Sequence, residues 1–380
     1  MKEKKDFAMS RRSFFKGSAL ALGGVAAAGL IKPQTASAQA VDMTGCPVKP
    51  WEKPLSPIPA SEIKKTVNTD VVIIGAGLAG LCAAISAKEN GVKNVVVIDK
   101  NRTFAARGAH ITAFNSRIQN EMGYKDVNYR QIIRELVRWA QGRVNEDLLW
   151  MFARKSGASF DWLADLVKPK GIRAGLWNQY YSGPDYTEYP ITSMFEETAT
   201  GIRGNVPLVR VLTEICAERG IEIVYQMKAE QFVRESNGKV SAVIAGRAGN
   251  YTRYNASKGI VIAAGDFASN REMTNRYAPI VGMADAQIYF PNKCNTGDTH
   301  IMAMQIGGSM QKVEPHAAVI HLEAGATSYG FLHVNALGKR FKNEDVNTQS
   351  KSCSKLFEPG GIAWTIYDAD GLKQVKEQLD

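Results

Sequence analysis

The feature that most constrains the fold lies between residues 70 and 99. Asp70-Val71-Val72-Ile73-Ile74 is an apolar, β-branched run of the kind that forms a parallel strand buried on both faces. Gly75-Ala76-Gly77-Leu78-Ala79-Gly80 follows without a gap, and then an Ala-rich helical stretch from Leu81 to Asn90, with Gly91 placed as its C-cap. Asn94 to Ile98 reads as a second strand carrying Asp99 at its tip. Gly75 permits a tight turn, Gly77 lets the backbone approach a pyrophosphate with no Cβ in the way, and Gly80 lets helix and strand pack closely. The helix start directs unpaired N–H groups and the positive end of its dipole at the phosphates. Asp99 lies 19 residues beyond Gly80, where a carboxylate accepts ribose hydroxyls. The pattern predicts dinucleotide binding, and on its own it does not separate FAD from NAD.

The N-terminus carries an address. Ser10-Arg11-Arg12-Ser13-Phe14-Phe15-Lys16 resembles a twin-arginine export motif. The Ala/Gly/Leu stretch from Ala19 to Ile31 is 13 residues long, short of the ~20 needed to span a bilayer. Ala36-Ser37-Ala38 supplies an A-x-A cleavage site. The competing reading, a buried helix with a chance Arg pair, does not explain why the three parts occur in this order. Residues 1–38 are therefore expected to be a twin-arginine signal peptide recognised by the twin-arginine translocase. The mature protein is expected in the periplasm or at the outer face of the cytoplasmic membrane. Residues 39–66, with Pro47, Pro50, Pro54, Pro57 and Pro59, read as an extended linker.

Charge and cysteine usage exclude several function classes. Residues 1–38 hold seven Lys or Arg against two Asp or Glu, half of the net +10. The rest shows no dense basic run with interleaved aromatics, which argues against nucleic-acid binding. Cys46, Cys82, Cys216, Cys294 and Cys353 lie far apart, so no C-x-x-C redox pair, haem attachment or zinc ribbon is encoded. No metal-ligand spacing and no Ser/His/Asp arrangement is present.

Downstream, Asp126–Gly142, Asn145–Val167 and Pro207–Arg219 show helical periodicity, and residues 171–205 look irregular. Ile221–Tyr225, Ala229–Arg234, Val240–Ala245 and Tyr251–Asn255 read as short strands of an inserted β-meander. Gly259 to Gly265 then returns as a buried parallel strand ending in small residues, which suit close ligand approach.

With these parts in place the chain, from about Asp70 to about Asp370, resembles the FAD-dependent fumarate reductase, flavocytochrome c and 3-ketosteroid dehydrogenase group. The resemblance rests on the glycine fingerprint with Asp99-Lys100, and on Ile262-Ala263-Ala264-Gly265-Asp266-Phe267, similar to an A-T-G-G-F turn. It rests also on Asn295-Thr296-Gly297-Asp298 with Ala303, similar to a T-G-D-G…A segment. Val334-Asn335…Gly338-Lys339-Arg340-Phe341…Asn343-Glu344 matches the long signature V-N-x-x-G-K-R-F-x-N-E. It implies an α/β fold: a Rossmann-type FAD-binding domain with an inserted β-meander over residues 67–311, plus a partial α+β capping domain over 312–380. It implies FAD as cofactor, with Gly75, Gly77 and Gly80 at the phosphates, Asp99 at the ribose, Arg107 and Gly108 toward the pyrophosphate, Ala264, Gly265, Gly297 and Asp298 toward the flavin, and Ala76, Leu78, Ala79 and Lys100 as further cofactor-binding residues.

Departures from the family pattern shape the functional expectation. The segment Asn101–Ala109 is shorter and poorer in glycine than the family's G-G-N-S stretch. The family's proton-donating Arg is replaced by Thr348, followed by Gln349, and the places of its Glu-x-x-Arg relay hold Ala324 and Thr327, which argues against fumarate as substrate. The family's C-terminal glycine-rich segment is not found before Asp380, so a truncated product that binds FAD poorly is one expectation. Tyr329 and His316 are the candidate catalytic proton donors, in a stretch that also holds His321, Glu323 and His333. His333 is read as a strand residue with a satisfied ring, and Arg340–Glu344 as an ion pair stabilising the cap. The implied function is reduction of an unsaturated or other electron-accepting organic substrate by hydride from flavin N5. Electrons would come from a separate donor such as a multihaem cytochrome or quinol-linked protein. The alternatives are a dehydrogenase of 3-ketosteroid type and a non-catalytic fragment.

Overall fold

The structure is a computed structural model. It describes residues 49, 51, 53, 56–125, 127–177, 188–236, 238–283, 293–311, 331–371 and 373, all within one unit that runs from Val48. The centre is a six-stranded sheet. The apolar run predicted at Asp70–Ile74 is the second half of β1 (Ile63–Ile74), which lies between β2 (Val95–Ile98) and β9 (Asn250–Ile262), parallel to both. The short edge strand β6 (Glu222–Val224) extends the parallel half beyond β2. On the other side, β8 (Val240–Arg247) and β7 (Ala229–Arg234) continue antiparallel, so the order is β6-β2-β1-β9-β8-β7.

Alternation along β1 divides two cores, as the period of a strand requires. Ile73 packs with α1 (Leu78–Glu89) through Leu81, Ala84 and Ile85, while Val72 and Ile74 face the opposite side with Phe232 and Val243. Further along the chain come α2 (Arg117–Glu121), α3 (Tyr129–Trp139), α4 (Glu146–Val167), α5 (Asn205–Glu218), α6 (Arg271–Tyr277) and α7 (Asp298–Gln305). Cys216 and Leu212 of α5 and Phe160 and Leu163 of α4 join the first core, and Met302 of α7 joins the second. Asn145, Asn128 and Asn270 cap their helices by accepting the N–H three residues on, so α4 starts one residue and α3 three residues after the sequence-predicted starts.

Four expectations need correction. Ile221–Tyr225 is not part of the meander: it holds the edge strand β6, parallel to β2 and at the opposite edge of the sheet from β7. The extended linker ends early: Ala60–Glu62 is a 3-10 turn and β1 begins at Ile63. Lys64, Lys65 and Thr66 hide this start because they are polar, and the ladder to Tyr251–Tyr254 supplies what the pattern lacks. Tyr251–Asn255 and the returning strand are not separate, since β9 runs unbroken through Ser257 and Lys258. The Ser257 hydroxyl donates to the Asp70 carboxylate (3.0 Å), and the same strand pairs with β8 on one side and β1 on the other. Residues 171–205 are not irregular throughout. They hold β4 (Ile172–Leu176) and β5 (Thr192–Glu197), which form an antiparallel sheet with β3 (His110–Thr112) in the order β3-β5-β4. Tertiary burial of Ile172 and Phe195, the latter against Phe160, stabilises strands that Gly175 and Arg173 disguise.

Toward the C-terminus, β10 (Leu332–Asn335) and β11 (Ala363–Ile366) pair antiparallel, with α8 (Thr348–Lys355) between them in sequence.

Candidate functional site

Gly75 follows β1 directly with φ +112°, and a Cβ there would sit 2.4 Å from the carbonyl oxygen of Ala263, the residue after β9. A Cβ on Gly80 would sit 1.9 Å from the carbonyl oxygen of Gly75, so the first turn of α1 lies directly on the strand end. Gly77 differs: its φ is −87°, and the nearest atom to a Cβ would be the Ala105 carbonyl oxygen at an ordinary 3.5 Å. Gly77 is the N-cap of α1 and offers no side-chain acceptor for the first-turn N–H groups, and Gly77, Leu78 and Ala79 all line a cleft. An uncapped helix start beside an unfilled Cβ position fits a phosphate.

Asp99 is held at the rim of this cleft. Its Oδ2 accepts the Ala76 N–H (2.7 Å) and its Oδ1 the Asn101 N–H (2.7 Å), while its own N–H donates to Val224 O (3.0 Å). The side chain is buried yet lines the cleft, and each oxygen retains a lone pair for a ribose hydroxyl.

The opposite wall is Cys294–Thr299, which leads into α7. Lys100 Nζ donates to Thr296 Oγ1 (2.6 Å) and pairs with Asp298 Oδ2 (2.7 Å), and Thr296 Oγ1 donates to the same Asp298 oxygen (2.7 Å). Lys228 pairs with Glu230 (3.0 Å) and approaches Asp298 Oδ1 (3.6 Å). Burial opposes ionisation of Asp298, but the hydrogen bonds from Lys100 and Thr296 and the charges of Lys100 and Lys228 outweigh it and hold the carboxyl below its ordinary range. At the other end of the wall, Asn295 Nδ2 donates to Asp266 Oδ1 (2.7 Å), and Asp266 Oδ2 pairs with Arg107 Nη1 (3.3 Å).

The structure brings most of the sequence-predicted residues together. Gly75, Gly77, Leu78, Ala79, Asp99, Lys100, Arg107, Ala264, Gly265, Gly297 and Asp298 all line the cleft. Ala76 and Gly80 lie beneath it, the first through its N–H to Asp99 and the second in the helix–strand contact. Gly108 does not line the cleft. Its carbonyl accepts the Asn205 N–H (3.4 Å) instead, so it braces the loop. Tyr329, His316, His321 and Glu323 lie outside the described residues. The residues the sequence did not reveal are Lys228, Met227, Asn101 and Cys294, all cleft-lining, and Asn205, which grips the Arg107 carbonyl (2.6 Å). Lys228 carries no local signal, because only the pairing of β6 with β2, continued by the Met227 N–H donating to Asp99 O (2.8 Å), brings it near Lys100.

His333 does lie in a strand, but its ring is not satisfied. It is fully buried, and neither ring nitrogen has a hydrogen-bond partner among the described residues. Burial, then the charges of Lys342 and Lys355, push it down to about 4. Arg340 and Glu344 form the expected ion pair, at 2.5 Å between Nη2 and Oε2, and Glu344 also accepts the His333 backbone N–H (3.0 Å).

The family model described as "FAD binding domain" matches residues 70–353. The urocanate reductase of Eggerthella lenta is 26% identical over 356 residues, covering 89% of this chain and 56% of that protein. The fold is similar to that of 3-ketosteroid-delta4-(5alpha)-dehydrogenase from Rhodococcus jostii RHA1 (TM-score 0.65, 21% identity, 85% of this chain and 70% of that one). It is also similar to the open conformation of a flavocytochrome c3 fumarate reductase (TM-score 0.61, 24% identity, 92% of this chain and 61% of that one). The chain spans about half the length of the curated relatives it matches. A match over this share of the residues, which takes in Gly75–Gly80 and Asp99 as well as the wall at Cys294–Thr299, makes the chain a member of the FAD binding domain family of FAD-dependent oxidoreductases.

Proposed function

We propose that this protein is an exported, FAD-dependent reductase of an unsaturated or otherwise electron-accepting organic molecule. The observation that carries the reading is the uncapped start of α1 at Gly77, with Asp99 locked beside it by the N–H groups of Ala76 and Asn101. In this reading Leu78 and Ala79 donate their N–H groups to the pyrophosphate, Arg107 adds a cation to it, and Asp99 accepts the ribose hydroxyls. Lys100 and Asp298 hold the opposite wall in register, Ala264 and Gly265 leave room for the flat flavin ring, and Gly297 lets that wall pack against Met273 and Phe267. When bound, FAD supplies two-electron transfer to and from the substrate. Tyr329 or His316 supplies the accompanying proton, in the role of a positioned general acid. In this reading the cofactor domain begins with β1 at Ile63 and runs to residue 311, and residues 312–380 belong to the cap.

The reductive direction is supported by a relative named for reducing urocanate. In this reading the electrons come from a separate cytochrome or quinol-linked donor, and residues 1–380 hold no C-x-x-C-H haem attachment motif. The leader at residues 1–38 delivers the folded protein through the twin-arginine translocase to the periplasm or the outer membrane face.

The experiment begins with the secreted full-length chain, examined for the visible flavin bands and titrated with FAD if colourless. The flavoprotein is then reduced anaerobically with a low-potential dye and offered α,β-unsaturated acids, or, in the oxidised state, saturated 3-ketosteroids. Reoxidation by the unsaturated acids is the expected result. Bleaching by saturated ketones with indifference to alkenes identifies a dehydrogenase instead, and a chain that never takes up FAD removes the enzymatic reading altogether.

A further inference from the structure

We propose that Asp266 is a positioning residue for the cofactor: it sets the Arg107 guanidinium at the phosphate side of the cleft. The inference rests on the FAD reading and deepens it. Arg107 arrives on residues 101–109, a stretch between β2 and β3 with no helix or ladder of its own until His110, so its place is imposed from outside. Among the described residues, two contacts impose it. At the backbone, Asn205, the buried first residue of α5, donates its Nδ2–H to the Arg107 carbonyl (2.6 Å) and its N–H to Gly108 O (3.4 Å). At the head group, Asp266 Oδ2 lies 3.3 Å from Nη1, with the two side chains only 20% and 24% exposed.

Asp266 is itself fixed before any ligand arrives. It sits in the turn that follows β9, where its Oδ1 accepts the Ala268 N–H (2.8 Å) and Asn295 Nδ2–H (2.7 Å), and Asn295 is buried. One carboxylate thus joins the turn, the opposite wall and the Arg107 loop. The other cleft-lining cations, Lys100 and Lys228, are directed at Asp298. Arg107 belongs to the cradle side, since the carbonyl of Ala105, two residues earlier, faces the Gly77 Cβ position at 3.5 Å. A guanidinium presents its donors in a planar fork, so it can keep a carboxylate on one edge while meeting a phosphate oxygen with another. Fixing its rotamer beforehand removes an ordering cost from binding.

The test measures FAD and ADP affinity of the full-length apoprotein by fluorescence titration for wild type, R107Q, D266N, R107Q/D266N, D266E and N205A. D266N keeps an oxygen for Ala268 but loses the charge. Asp266→Asn and Arg107→Gln should each weaken FAD and ADP roughly tenfold, the size of one charge-assisted hydrogen bond. The double variant should be no weaker than Arg107→Gln alone, because Asp266 acts through Arg107. Asp266→Glu should recover part of the loss, and Asn205→Ala should lose part of the affinity with no change in the Arg107→Gln background. Wild-type or tighter binding by Asp266→Asn, or losses that add, overturns the proposal. If Asp266→Asn does not fold, as judged by its melting curve, Asp266→Glu and Asn205→Ala decide by the same additivity comparison. A wild-type protein that binds neither FAD nor ADP sinks the cofactor reading itself, a result distinct from equal binding by wild type and Asp266→Asn.

Discussion

Gly80 lies so close to Gly75 that a Cβ on the first would be 1.9 Å from the carbonyl oxygen of the second, whereas Gly77, between them, has no such neighbour. Gly80→Ala must therefore lift α1 off the strand, at a cost of about 3 kcal/mol. Gly77→Ala, at an ordinary negative φ, should leave stability within about 1 kcal/mol while projecting a methyl group into the phosphate cradle. Urea unfolding together with FAD titration separates the two: Gly80→Ala loses both stability and binding, Gly77→Ala loses binding. Equal unfolding midpoints for the two variants would refute this division.

Both oxygens of Asp99 are committed to backbone N–H groups, those of Ala76 and Asn101. Asp99→Asn offers one acceptor where two are needed and turns an NH2 group toward a donor. The expected loss is about 2 kcal/mol of stability, with FAD affinity reduced at least tenfold. Denaturant unfolding of the apoprotein and fluorescence titration check the two effects independently.

Lys100 and Asp298 tie the tip of β2 to the start of α7. Lys100→Met leaves the partly buried carboxylate with only Thr296 and the more distant Lys228, and should cost about 1–2 kcal/mol. Because the Asp298 carboxyl is held below its ordinary value of 3.8, its stabilisation is complete above that pH and is lost as pH falls through the lower folded value. The wild-type advantage over Lys100→Met should accordingly be flat from neutral pH down to that point. An advantage that fades between neutrality and about pH 5 would contradict the assignment.

His333 makes the opposite kind of contribution. Its folded value is depressed from 6.5 to about 4, so the unfolded chain takes up a proton that the folded chain refuses. Stability should be unaffected above about pH 6.5, should fall as pH drops toward about 4, and should level off below it. His333→Leu, which fills the same buried space without titrating, should remove that part of the pH dependence. The difference between the two unfolding profiles is the measurement, and parallel profiles would count against it.

The parts of the site legible in the sequence are those whose chemistry is local. The glycine spacing, the apolar run of β1 and the acid at the tip of β2 all follow from short-range rules, because turn conformation and strand burial leave direct marks on residue choice. The β3-β5-β4 sheet was hidden because its strands are short and hold Gly175 and Arg173, and their stability comes from Phe195 and Ile172 meeting α4 and the first core. The unity of β9 was hidden by Ser257 and Lys258, which are polar because they sit beside Asp70 and at the surface.

The sequence by itself determined that a strand, a glycine turn and a helix would present amide groups to a phosphate, since those residues are constrained by their immediate neighbours. Only the tertiary structure decided which distant side chains complete the cleft. Lys100 meets Asp298 across 198 positions, and Arg107 meets Asp266 across 159. Charge pairs of this kind depend on where whole strands and helices dock, and no periodicity or spacing along the chain encodes that distance.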